Sequence, residues 1–221
     1  RWVRVRVQRG AGMEEVSRDL LSTHHGPIYK IGENWAYAAK APMDEIANVV
    51  GQLYEMSRAQ DLRQFRSAVS RLQIPAINVM YGDLDGSTYY VFAARSPLRS
   101  DKFDWRAPVP GWTKESEWRG LLPFSQLPQV VDPVPGFMQN CNVPPDALTS
   151  HPLLDRSNYP ASLGWGRMTD RGRRTRTWLA SQDVVSVDEL VTFSRDSYLI
   201  VAEELKGLIL GGYNRIWQEL Y

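Results

Sequence analysis

The chain of 221 residues is long enough for one substantial core or two small ones. Lys+Arg 26 against Asp+Glu 25 leaves almost no net charge, which excludes the basic excess usual for nucleic-acid or membrane-surface binding. A single cysteine, Cys141, excludes an internal disulfide framework and any all-cysteine metal site, and no apolar run of membrane-spanning length occurs.

Trp2 to Val7 alternates as a strand from the first residues, with no initiator Met and no apolar leader, so a fragment or processed product is expected. A turn at Arg9–Gly10–Ala11–Gly12 leads to a second strand over Glu14 to Leu21. Return strands are expected at Ile28 to Ile31 and Trp35 to Ala38, making residues 1–40 strand-rich. Residues 41–73 read as helical. Ile46, Val49, Val50, Leu53 and Tyr54 share one face, and Leu62, Phe65, Val69 and Leu72 share another.

A hairpin is predicted over residues 76–94. Asp85–Gly86 separates two strand-like runs, and glycine supplies the positive φ of the turn. Asp83 and Asp85 superficially suggest a calcium loop, but the third acidic position and the closing Glu are absent. Residues 95–170 are irregular and rich in Pro, Gly, Trp and Asp, a pattern that is usually functional when it interrupts a compact chain. Residues 171–210 read as helical. Ser186 and Glu189 form a capping box that opens a helix from Leu190 to Leu208, and Gly211–Gly212 is expected to stop it.

No self-contained catalytic constellation is visible. His24, His25 and His151 show no zinc-ligand spacing, and neither a nucleophile elbow nor a phosphate-binding glycine loop occurs. Arg167, Arg171, Arg173, Arg174 and Arg176 read as a solvated helix face with one or two members turned inward toward a carboxylate or carbonyl, in preference to a nucleic-acid surface. The stretch Gln139–Asn140–Cys141–Asn142 lies between prolines. A rigid asparagine amide there could stabilise an oxyanion; composition alone favours an ordinary Asn turn.

The pattern Trp118–Arg119–Gly120–Leu121–Leu122–Pro123–Phe124 is followed by Leu127–Pro128, Val130, Pro133, Gly136–Phe137, Gln139–Asn140, Asn142 and Pro144–Pro145. This closely resembles the β-chain of the penicillin acylase family, especially its cephalosporin acylase-like branch. His25–Gly26–Pro27, Pro75 to Asn78, the hairpin from Asp83 to Phe92, and the run from Arg171 to Ser186 follow in order, so the likeness covers nearly all of the chain. The resemblance implies an α+β fold, part of an αββα N-terminal-nucleophile hydrolase sandwich, with residues 1–221 a single fragment of the β-chain core.

It implies a parent acylase that hydrolyses the amide of an N-acylated small molecule (a β-lactam side chain, an acyl-homoserine lactone or similar). The nucleophile would be an N-terminal Ser, exposed by self-processing and lying upstream of this chain. Asn142 takes the place of the family's oxyanion-hole asparagine, Arg171 that of the arginine orienting it, and Phe92 is matched to the acyl pocket. No metal or other cofactor is assigned here; calcium stays open for the parent. The expected partners are the α-chain, the rest of the β-chain and the amide substrate, with no nucleic acid and no membrane, in a periplasmic or secreted protein. By itself the chain is expected to be inactive. Many relatives have Asp after the oxyanion asparagine and Trp after the prolines, where this chain has Val143 and Asp146. That departure keeps a non-catalytic small-molecule-binding homologue as the alternative.

Overall fold

In a computed structural model, which describes residues 1–43 and 46–220, the alternating N-terminal segment pairs with the segment that follows it. Strands β1 (Trp2–Arg9) and β2 (Gly12–Asp19) run antiparallel, from Trp2 opposite Asp19 to Arg9 opposite Gly12. Gly10, at φ +59°, makes the two-residue turn possible. This ribbon buries little, and Trp2, Val5, Val7 and Met13 remain exposed. A second sheet has the order β3 (Ser22–Thr23), β4 (Gly26–Ile31), β5 (Ala36–Ala38). Gly26 is required where the chain turns into β4. Its φ is +131°, and a Cβ there would lie 2.2 Å from the Ala39 carbonyl oxygen.

Helical periodicity from Pro42 onward suggested a first helix that includes Ile46, but helix α1 occupies only Val49–Arg58. Asn48 caps it, its side chain accepting from the Gly51 N–H. Ile46 and Ala47 stay outside the helix, because the Gln73 side-chain oxygen accepts the Ala47 and Asn48 N–H groups at 2.9 Å each. Asp44 and Glu45, within the expected helical range, lie outside the described residues. Helix α2 (Leu62–Val69) is capped by Asp61.

The third sheet holds the core. Strand β7 (Thr88–Ala94) lies between β6 (Ala76–Gly82) and the short β8 (Gln129–Val131), both antiparallel to it. Asp83 organises the β6–β7 turn, accepting from the Ser87 N–H and from the Tyr81 hydroxyl, while Gly86 takes φ +88°. Burial and this carboxylate push the Tyr81 hydroxyl up to about 12. Being central, β7 is buried on both faces. Tyr89, Val91 and Ala93 pack with Val69, Leu72, Leu122 and Leu127; Tyr90, on the other face, packs with Val130 and Leu148. Each such side chain stabilises by about 1.5–3 kcal/mol relative to exposure.

The irregular segment from residue 95 is not wholly strandless. It contributes β8 and a bridge between Pro97 and Leu121, and five single turns of 3-10 helix carry it onward to residue 163. The three-residue β8, confined by Pro128 and Asp132–Pro133, is too short for alternation to reveal it.

Thr169 caps α3 (Asp170–Ala180), and the Ser186/Glu189 capping box opens α4 (Val187–Phe193). The helix expected to continue from Leu190 instead breaks after Phe193 and resumes as α5 (Ile200–Leu220). Arg174 holds the break: it bonds Asp196 at 2.6 Å and its guanidinium lies over the Phe193 and Tyr198 rings. Gly211–Gly212 does not stop α5. Glycine costs a helix only about 1 kcal/mol per residue, and neither Gly211 nor Gly212 adopts the left-handed conformation that would end it. Leu208, Ile209, Leu210, Tyr213, Ile216 and Trp217 on α5 are exposed. Among the described residues, no helix is long and apolar enough to cross a membrane.

Candidate active site

The loop carrying Asn142 is fixed from both sides. Gln139 is buried; its backbone N–H donates to the Leu148 carbonyl and its side-chain amide to the Ala147 carbonyl. Asn140 makes the Asx turn, its Oδ1 accepting from the Asn142 N–H at 3.1 Å. The turn and the candidate oxyanion donor are therefore two different asparagines. Asn142 itself sits at φ +59°, in the left-handed region that asparagine tolerates better than most residues.

Helix α3 docks on this loop through its N-terminus. Thr169 Oγ1 donates to the Cys141 carbonyl at 2.8 Å and accepts from the Gly172 N–H, so one hydroxyl both caps the helix and anchors the loop. Val143 is buried against Gly172, where a Cβ would lie 2.2 Å from Val143 Cγ1. That close approach brings Arg171 to the loop, and its Nη2 donates to Asn142 Oδ1 at 2.8 Å.

This hydrogen bond has a directional consequence. A guanidinium carries only donors, so it must meet the oxygen of the Asn142 amide. The NH2 end then points away and, among the described residues, has no hydrogen-bond partner. An exposed amide with its oxygen tied down and both N–H donors free can bind a developing negative charge.

Phe92 is placed differently. It lies on central strand β7 opposite Asn78, is half-buried, and packs against both apolar clusters of the third sheet. It makes no hydrogen bond or ring contact with Asn142 or Arg171. The other arginines of α3 are largely used internally. Arg173 pairs with Glu204 and Asp170, and Arg174 with Asp196. Asp146, at the position of the departed Trp, receives a two-pronged hydrogen bond from Arg156 at 2.6 and 3.0 Å. A cavity of about 530 Å³ lies elsewhere, lined by Arg99, Asp101, Lys102, Phe103, Asp104 and Trp105, and touches none of the three candidate residues.

Sequence reasoning missed one side-chain cluster. His24, His25 and Glu117 present ligand atoms that all lie within 4.8 Å of one another. Glu117 is 93 residues from His24, and no local motif connects them.

Comparison with known proteins agrees with this fold. A penicillin G acylase from Alcaligenes faecalis, described as thermostable, superposes with a TM-score of 0.67 at 24% identity, covering 87% of this chain and 33% of that one. The architecture is thus α+β, helices with antiparallel sheets, and shares the fold of that acylase over most of the chain. The penicillin amidase family model matches residues 1–218, and the chain belongs to that family. Penicillin acylase 2 proenzyme of Pseudomonas sp. strain SE83 is 32% identical over 143 residues, 63% of this chain and 18% of that protein. The acyl-homoserine lactone acylase PvdQ of Pseudomonas putida is 24% identical over 233 aligned positions, covering 90% of this chain and 29% of its own length. The chain therefore spans less than a third of the length of these curated relatives.

Proposed function

We propose that this chain is the oxyanion-stabilising portion of a longer acylase that hydrolyses the amide bond of an N-acylated small molecule. The observation that carries the reading is the Arg171–Asn142 hydrogen bond, which leaves the Asn142 amide donors free. In this reading the nucleophile is an N-terminal Ser outside the chain, activated through its own α-amine. When it attacks the substrate carbonyl, the oxygen gains charge and Asn142 Nδ2–H donates to it. Arg171 is a positioning residue: it fixes which end of the amide faces the reaction. Phe92 is a candidate wall of the acyl pocket. The exposed apolar side chains of the β1–β2 ribbon and of α5 fit surfaces covered by the remainder of a processed acylase. A β-lactam side chain or an acyl-homoserine lactone is the substrate class, in a periplasmic or secreted protein.

The second reading, a non-catalytic binding homologue, is favoured by Val143 and by the engagement of Asp146 with Arg156. Release of primary amine from acylated substrates by the full-length protein separates the two. Turnover is expected, and Arg171→Gln should lower kcat by up to about 10²-fold with KM little changed, since a slightly misplaced donor is costly. Arg171→Lys, which still offers a donor to Oδ1, should recover part of that loss. Absence of turnover would favour the binding homologue, and an unchanged kcat in Arg171→Gln would remove the positioning role.

A further inference from the structure

We propose that His24, His25 and Glu117 form a binding site for a divalent transition metal of the zinc class, distinct from the oxyanion loop. The two histidines occupy the tight turn between β3 and β4, their ring centroids 3.8 Å apart. Glu117 follows the single helical turn Lys114–Ser116 in the irregular segment. His24 Nε2 lies 2.7 Å from Glu117 Oε1, and His25 Nδ1 lies 3.8 Å from the same oxygen. Ligands on a tetrahedral zinc with bonds of about 2.1 Å are themselves about 3.4 Å apart. The observed spacings bracket that value, so small side-chain rotations would seat an ion.

The surroundings match what a metal-binding histidine needs. His25 Nε2 is 2.7 Å from the Gly111 carbonyl, which can only accept. Nε2 therefore carries a proton, and in the neutral imidazole Nδ1 presents a lone pair toward Glu117. A carbonyl that fixes the ring and tautomer in this way is the usual outer support of a metal-bound imidazole. Gly111 permits the approach, since a Cβ there would lie 3.2 Å from His25 Nε2.

Lys40 bonds the other carboxylate oxygen, Oε2, at 3.1 Å. This leaves Oε1 facing the imidazoles. His24 is well exposed and His25 mostly covered, which gives an entry path on one side and a formed wall on the other. Two nitrogens and one oxygen suit zinc, cobalt or nickel better than calcium or magnesium, and leave a fourth position for water. A bound ion would clip the small β3–β4–β5 sheet to the irregular segment, joining elements far apart in sequence.

The test uses the full-length protein, stripped with chelator and titrated with Zn²⁺ by calorimetry and with Co²⁺ by visible absorption. Wild type is expected to take up one equivalent at micromolar affinity, with the absorption of a four- or five-coordinate cobalt, and to melt at a higher temperature when loaded. His24→Gln and Glu117→Gln should each weaken that binding by at least about 100-fold and abolish the melting shift. His24→Gln alters an exposed side chain, so its circular dichroism should match wild type. Binding that fails to saturate below millimolar Zn²⁺, or equal affinity in wild type and both variants, would overturn the site.

Discussion

Replacing Asn142 by Ala in the full-length protein is expected to lower kcat for amide hydrolysis by on the order of 10²–10³-fold, with a modest change in KM. In the proposed mechanism the amide donors meet charge that exists only once the carbonyl has been attacked, so their loss would fall on the transition state rather than on substrate binding. The structural cost should be small. Asn142 is exposed, and the loop around it is held by Gln139, Asn140 and Thr169, none of which bonds through the Asn142 side chain. Alanine at φ +59° carries some backbone strain, about 1 kcal/mol. Asn142→Gly, which relieves that strain without restoring the amide, is the control. Comparable losses of kcat in both variants assign the effect to the amide; recovery in Asn142→Gly would assign it to the backbone.

Tyr90→Ala is expected to destabilise the third sheet by about 3–5 kcal/mol, the range for deleting a fully buried aromatic ring. Tyr90 is completely buried on the central strand, against Val130 and Leu148, and its hydroxyl donates to Asn78 Oδ1 at 2.6 Å. Burial pushes its hydroxyl well above the ordinary tyrosine range, so it stays neutral and a donor. Tyr90→Phe keeps the ring and removes one hydrogen bond, leaving the Asn78 oxygen unpaired, for about 1–3 kcal/mol. Thermal unfolding of the full-length protein should place wild type above Tyr90→Phe and Tyr90→Phe clearly above Tyr90→Ala. Equal melting temperatures for wild type and Tyr90→Ala would contradict the assignment of this strand as the core. The same face leads to Leu148, whose carbonyl anchors Gln139, so loosening it should also disturb the loop that holds Asn142.

What the sequence made legible was local. Asp85–Gly86 announces a hairpin because the positive φ of Gly86 is a property of one residue between two strand-like runs. Ser186 and Glu189 announce a helix start because both halves of a capping box lie three residues apart. The end of that helix was not legible, because it depends on Arg174 reaching Asp196 and Tyr198 from another helix. Strand β8 was hidden for a similar reason: three residues between Pro128 and Asp132–Pro133 become a strand only when β7 pairs with them.

The candidate site divides the same way. The Asn140 turn could be read from residue type, whereas no spacing rule would pair Asn142 with Arg171, which is 29 residues away. Resemblance to a family selected those two residues, and the fold supplies the physical link, a Thr169-capped helix docked on Cys141 with glycine at the closest approach. The His24–His25–Glu117 cluster was not legible as a unit, because no motif links the histidines to Glu117, which is 93 residues from His24.

The most direct test of the acylase reading is the intact mass and N-terminal sequence of the mature full-length protein. The expected result is two chains, the larger beginning with Ser at a point upstream of the Arg1 segment. A single uncut chain would contradict it, and Asn142 would lose its catalytic role.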